Sequence, residues 1–415
     1  MKVIVANYRY FVAGGPEKYM FKFIDAAQKR GIEVIPFSVN NSRNKPCKYE
    51  SFFAKPRADE LMYADIRRTI KNYWGILRAT LWNYDAEHKL RKLMRATKPD
   101  AVYILHEVNH LSPSIIRAAK KENVRVVHRI SDFFMFCAKY DFLCGEDICE
   151  ACIHGDYTKA LVNRCVKNSR MGTLLRITAM KIYDKIKVFD DVDSYVVTCN
   201  FTKNKLIEGG VSESKIRCIP TFINSENIIP CYEHDKYFLF LGRMARQKGI
   251  KYAVEAMKYL KDTDYVLKVT GKITEDEEDQ RIWKYVVDNG LEDKVIFTDF
   301  LYGEELSNLI RRAACIICPS IWYENMPNTV IEAYSYGKPV VASNIGSLAE
   351  IVDDNVTGRL FDMKNSYNLS KVLKEFVDDE SLSERLGRNA REKCEVEYSE
   401  SKHMDMLVDV LFGGD

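Results

Sequence analysis

The residues best placed for chemistry lie between Cys318 and Ala333, where Glu324 and Glu332 flank Asn325-Met326-Pro327-Asn328-Thr329. An apolar run ends at Cys318, and Pro327 predicts a helix that opens at its first turn. The first amides of that helix, near Asn328 and Thr329, lack intrahelical partners and suit an anion. Two carboxylates beside an anion site fit the hydroxyls of a sugar and a ribose. The same spacing also fits a helix start carrying two solvated acids. A second stretch follows the apolar run 237–241 and reads Gly242-Arg243-Met244-Ala245-Arg246-Gln247-Lys248-Gly249. Cations there would neutralise a departing diphosphate, although any one of them also reads as belonging to a solvated basic turn. A third, Ala13-Gly14-Gly15-Pro16-Glu17, sets adjacent glycines after the first apolar run. Such glycines let a backbone approach a ligand and present its amides, and they equally make an ordinary turn. No G-x-G-x-x-G is present, so the dinucleotide fingerprint is excluded.

Elements that alternate between strand and helix must position these residues. Short apolar, β-branched runs at 3–6, 33–37, 101–105, 124–128, 195–198 and 216–219 read as buried strands, with helical periodicity at 17–30, 112–122 and 202–208. The alternation returns at 237–241, 265–270, 294–297, 315–318 and 339–342. This pattern predicts parallel sheets with helices on both faces, and ligands outside the carboxyl ends of the strands. The polar stretch 221–236, with Pro230, is the best linker. Two doubly wound α/β domains facing across a cleft follow, at 1–225 and 226–398, with a further helix at 399–415.

Length and charge narrow the class. At 415 residues and 47% apolar content, the chain is long enough for two or three cores and too apolar to be disordered. No uncharged apolar run approaches the ~20 residues of a membrane span. The apolar run at the start breaks at Asn7 and Arg9, too early for a signal peptide, so a cytoplasmic protein with reduced cysteines is expected. The net charge of +3 hides an asymmetry: residues 1–220 hold 38 basic and 24 acidic side chains (+14), and the remainder holds 24 and 35 (−11). A basic half suits nucleic acid, anionic lipid or a phosphorylated substrate. Cys137, Cys144, Cys149, Cys152 and Cys165 crowd a region at 137–165 that reads as an insertion. The first four have a spacing suited to structural zinc, and the set also reads as reduced, partly buried thiols.

Glu324 and Glu332 make the E-x7-E pattern of the family-4 retaining glycosyltransferases of GT-B fold, and residues 295–360 resemble that family nearly throughout, including Gly337-Lys338-Pro339-Val340-Val341-Ala342-Ser343 and Thr357-Gly358. The resemblance implies that Glu324 contacts the donor sugar and Glu332 the ribose hydroxyls, with Asn325, Met326, Pro327, Asn328 and Thr329 lining the donor site. Arg243 and Lys248 match the G-R-x4-K-G signature that binds the diphosphate, and Gly14 and Gly15 match the glycine loop facing it. Where many members have His-Asp, this chain has Ser131-Asp132, which puts sugar recognition in question more than catalysis. His106 and Asn109 resemble a histidine–asparagine loop near sugar or acceptor.

The implied activity is metal-independent transfer of a hexose, with retained configuration, from a UDP- or GDP-sugar to a hydroxyl of a glycan or lipid-linked acceptor. No cofactor is implied, and a phosphorylated or membrane-borne acceptor replaces nucleic acid as the partner of the basic half. The Glu-Asn-x-Pro-Asn variant looks like enzymes of surface polysaccharide and lipopolysaccharide synthesis. A GT-B phosphorylase, a nucleotide-sugar epimerase or a non-catalytic binder shares the fold. Residues 66–78 mix basic and bulky apolar side chains at helical spacing, which fits a peripheral contact at the inner face of an anionic membrane, or a core-facing helix with a basic outer side.

Overall fold

In β1 (Lys2–Asn7), Val3 and Val5 enter one core while Ile4 and Ala6 enter another, as the period of two along a strand requires. The same division in β12 (Cys315–Cys318) sends Cys315 and Ile317 to one side and Ile316 and Cys318 to the other. Strands apolar on both faces must be covered on both faces, which is why each sheet here lies between helices. The computed structural model of the chain describes residues 1–57, 69–107, 110–271 and 273–413.

The remaining strands are β2 (Glu33–Phe37), β3 (Ala101–His106), β4 (Arg125–Arg129), β5 (Leu143–Cys144), β6 (Asp147–Ile148), β7 (Ser194–Val197), β8 (Ile216–Cys218), β9 (Tyr237–Phe240), β10 (Val266–Thr270), β11 (Val295–Thr298), β13 (Val340–Ser343) and β14 (Gly358–Phe361). Two six-stranded sheets form, in the orders β2-β1-β3-β4-β7-β8 and β11-β10-β9-β12-β13-β14. All their pairings are parallel. Each strand expected from the sequence is found within one residue of its expected limits. The expectations missed β14 and the small β5–β6 hairpin. β14 is a four-residue edge strand, and Gly358 is there because a Cβ would stand 2.0 Å from the Val340 carbonyl oxygen.

In the first sheet the winding direction reverses between β1 and β3, and in the second between β9 and β12. These are the switch points at which doubly wound sheets open a crevice. The chain passes between the two cores at one peptide, since Phe222 packs with the first sheet and Ile223 with the second. It returns near Ser399, where Ile223 bridges to Ser399. The last helix, Glu400–Phe412, lies on the first sheet, with Met404, Leu407, Val410 and Leu411 in the core that holds Val3 and Val5. Among the described residues, no helix is long and apolar enough to cross a membrane.

Candidate active site

Glu324 follows β12 and is buried, yet its Oε1 receives three donors: Lys248 Nζ at 2.7 Å, Ser320 Oγ at 2.8 Å and Trp322 Nε1 at 2.8 Å. Burial raises its pKa, but the Lys248 cation and the three hydrogen bonds outweigh burial and hold the carboxyl below its ordinary value. Lys248 reaches it from the single turn Arg246–Lys248 after β9, on the other side of the switch point. Gly249 makes that approach feasible. Its φ is +67°, and a Cβ there would stand 1.8 Å from the Pro319 carbonyl oxygen.

Pro327 caps the helix Asn328–Ser335 instead of occupying its first turn, so the helix opens one residue later than expected. Thr329 Oγ1 donates to the Leu241 carbonyl at 3.2 Å, tying this helix start to the loop after β9. Glu332 sits one turn inside. Its pKa is raised by burial, against the opposing pull of Lys18 and Lys22. Those lysines belong to the helix Gly15–Lys29 of the first domain, so Glu332 looks across the cleft at them. Gly15 marks the near contact, because a Cβ there would stand 3.3 Å from Asn328 Nδ2. Gly14 is extended backbone and needs no glycine for its φ. Arg243 is exposed after β9, and its charge reaches Tyr140 of the first domain.

On the first-domain side, His106 Nε2 lies 3.1 Å from Asp132 Oδ2, and Asp132 Oδ1 accepts the Phe134 amide at 2.9 Å. Burial lowers the His106 pKa, but Asp132 outweighs it and the net direction is upward. The Ser131 hydroxyl donates to the Leu105 carbonyl at 2.8 Å, tying it to β3. His128 is buried against Glu107 at 3.1 Å, consistent with a packed histidine. Asn109 lies outside the described residues.

Two expected donor contacts are engaged elsewhere through their side chains. Asn325 donates to the Ile130 carbonyl and accepts from Thr198 Oγ1 at 2.6 Å and Thr202 Oγ1 at 3.1 Å, so its amide joins the two domains. Met326 lies in the second core and accepts the Thr221 amide through sulfur at 3.2 Å. Their types suited a ligand loop, but the polar groups just after β4 and β7, and Thr202 in the helix Asn200–Glu208, meet Asn325 first. Arg246, between the matched cations, pairs with Glu146 on the β5–β6 turn at 3.1 Å. The cysteines are free thiols. Burial and the neighbouring thiols of Cys144, Cys137, Cys152 and Cys149 push Cys165 up to about 12. Among the described residues, the metal-ligand types that converge within 4.8 Å are Glu150, His154 and Glu208.

Sequence reasoning missed Lys18, Lys22, Ser320 and Trp322. The i, i+4 lysines just after the glycine loop were a usable signal for the first pair, since that spacing puts both on one helix face. The second pair had none, because a hydroxyl and an indole acquire meaning only through what they touch. Together the site offers a buried carboxylate, cations and helix-start amides around one cleft, which is the equipment for holding a polyol next to a diphosphate.

The family model described as Glycosyltransferase Family 4 matches residues 13–227, and that described as Glycosyl transferases group 1 matches residues 223–393. An uncharacterized glycosyltransferase of Methanocaldococcus jannaschii is 31% identical over 182 residues, 43% of this chain and 45% of the relative. The chain thus spans less than half the length of that relative. The UDP-Gal:alpha-D-GlcNAc-diphosphoundecaprenol alpha-1,3-galactosyltransferase of Escherichia coli is 23% identical over 272 residues, 59% of this chain and 68% of the relative. Among solved structures, the sucrose-phosphate synthase of Thermosynechococcus elongatus superposes with a TM-score of 0.70 at 18% identity, covering 100% of both chains. That likeness shows the GT-B fold.

Proposed function

Since the chain belongs to Glycosyltransferase Family 4, we propose that it transfers a sugar from a nucleotide diphosphate donor to an acceptor hydroxyl with retained configuration. The observation that carries this reading is the pairing of buried Glu324 with partly buried Lys248 at the switch point of the second sheet, opposite the glycine loop of the first. Lys248, Arg243 and the amides at Asn328 and Thr329 take the charge of the departing diphosphate without a metal. Glu324 orients the sugar hydroxyls and Glu332 the ribose. The bond from the anomeric carbon to the diphosphate oxygen breaks as the acceptor oxygen bonds to the same face. The acceptor proton passes to the departing phosphate oxygen. His106 and Asp132 face the acceptor side. Polysaccharide or glycolipid synthesis suits the basic first half and the named activity of the Escherichia coli relative.

Thermal denaturation with UDP, GDP and their sugars tests the donor. A bound nucleotide at about 100 times its dissociation constant stabilises by ~2.7 kcal/mol. Stabilisation by one nucleotide series, with slow release of free sugar from its donor, is expected. No shift with any nucleotide sinks the reading. Tight donor binding without turnover on any acceptor points instead to a binding protein of the same fold.

A further inference from the structure

An open cavity of about 820 Å³ lies in the first domain, away from the Glu324–Lys248 pair. It falls within the roughly 300–1,000 Å³ of pockets that enclose a small ligand. Its walls are the helices Ile70–Leu81 and Arg170–Lys185 and the loop after β4. The lining is dominated by Ile70, Tyr73, Trp74, Leu77, Met171 and Leu175. Ile70 is 79% exposed, Trp74 57% and Met171 75%, so bulky apolar side chains stand in water, uncovered by other described residues. The two alternatives for the basic–apolar stretch were a membrane face and a core-facing helix. Residues 66–68 lie outside the described residues, and from Ile70 onwards the helix stands along one side of a groove.

Charge surrounds this apolar floor with one sign. The charged side chains that line it, Lys139, Lys167 and Arg176, are all basic, and the helix Ile70–Leu81 has no acid. At the inner wall Arg176 is only 6% exposed, and its Nε has no hydrogen-bond partner among the described residues. An unpartnered donor on a buried cation is costly unless an anion meets it. Arg176 is held there by a hydrogen bond to the Phe134 carbonyl and by stacking 4.1 Å from the Phe134 ring centroid. The Phe134 amide in turn bonds Asp132, which pairs with His106. The groove therefore ends two residues from the acceptor side of the cleft.

We propose that this groove takes the hydrocarbon chain of a lipid-linked acceptor, with the lipid's phosphate at Arg176 and its sugar directed towards His106 and Asp132. This rests on the sugar-transfer reading above and adds the acceptor class to it. A concave groove with a buried cation at its inner end suits a single lipid molecule; a bilayer surface needs only a flat exposed face.

Calorimetric titration of the full chain with farnesyl diphosphate, inorganic diphosphate and farnesol tests the assignment. Saturable binding of farnesyl diphosphate, at least tenfold tighter than either other probe and undisturbed by bound UDP, is expected. The exposed double variant Trp74→Ser, Met171→Ser should weaken farnesyl diphosphate binding at least tenfold while UDP affinity stays within twofold. Unchanged lipid affinity in that variant overturns the proposal, as does displacement of the lipid by UDP. Equal binding of inorganic diphosphate, or association only with phosphatidylglycerol vesicles, overturns it too. Failure of UDP to bind a chain that still takes farnesyl diphosphate in the groove defeats the transfer reading alone.

Discussion

Glu324 is where burial and charge compete most directly. Its carboxylate is buried among three donors, and only Lys248 supplies full compensating charge. In the free chain that lysine belongs to the carboxylate, and a donor diphosphate would have to share it. Lys248→Ala is expected to lower turnover by about 10²–10³-fold, the loss measured for a preorganised charge-stabilising donor. It should also cost about 1–3 kcal/mol of stability, read in a denaturant titration, because a buried acceptor loses a partner. Glu107 makes a second residue-scale prediction. Burial raises its pKa, but His128 and the other groups around it outweigh burial and hold it at about 2 against an ordinary 4.5. A depressed carboxyl stabilises the fold fully above its unfolded value and loses that contribution as pH falls towards the folded one. Stability should therefore decline from about pH 4.5 downwards, and Glu107→Gln should remove this component from a series of denaturation midpoints between about pH 5 and 3.

At the scale of elements, the loops after β9 and β12 act as one device. Gly249 lies against Pro319 at a separation that admits no side chain, and this contact aims Lys248 at Glu324. Gly249→Ala must displace one loop. The expected cost is about 1–3 kcal/mol of strain, together with a drop in turnover while nucleotide binding persists. Normal turnover in that variant would show that the contact does not set the lysine. The helix Gly15–Lys29 has a parallel role from the opposite domain, since it begins at the glycine loop and turns Lys18 and Lys22 towards Glu332.

For the whole molecule, the C-terminal helix belongs to the core of the domain that the chain leaves near Phe222. His403 bonds Tyr19 at 2.9 Å and the Pro220 carbonyl at 2.6 Å, beside buried Met404, Leu407 and Leu411. Burying each large apolar side chain contributes ~1.5–3 kcal/mol, so Met404, Leu407, Val410 and Leu411 together supply an amount comparable to a whole domain's net stability. A chain ended after Ser399 should lose its cooperative thermal transition by circular dichroism or fail to stay soluble. Retention of the full melting temperature would mean that the first domain stands alone. Asn325, with Ile130, Thr198 and Thr202, joins the same two bodies at the cleft floor.

The local pattern determined the strands other than β5, β6 and β14, the doubly wound class and the positions of Glu324, Lys248, Glu332 and the glycine loop. Each depends on periodicity or on spacing along the chain, which a sequence displays directly. Four things depended on segments far apart in sequence. Asn325 and Met326 were drawn into the domain junction because the partners nearest their side chains come from the segments just after β4 and β7 and from the linker. Ser131 was tied to β3 because its neighbour in space is Leu105. Lys18 and Lys22 became partners of Glu332 only once two sheets faced each other across one cleft. The apolar groove likewise needed two helices about a hundred residues apart to stand side by side. Burial and electrostatics act through distance in space, and the tertiary fold alone sets that distance.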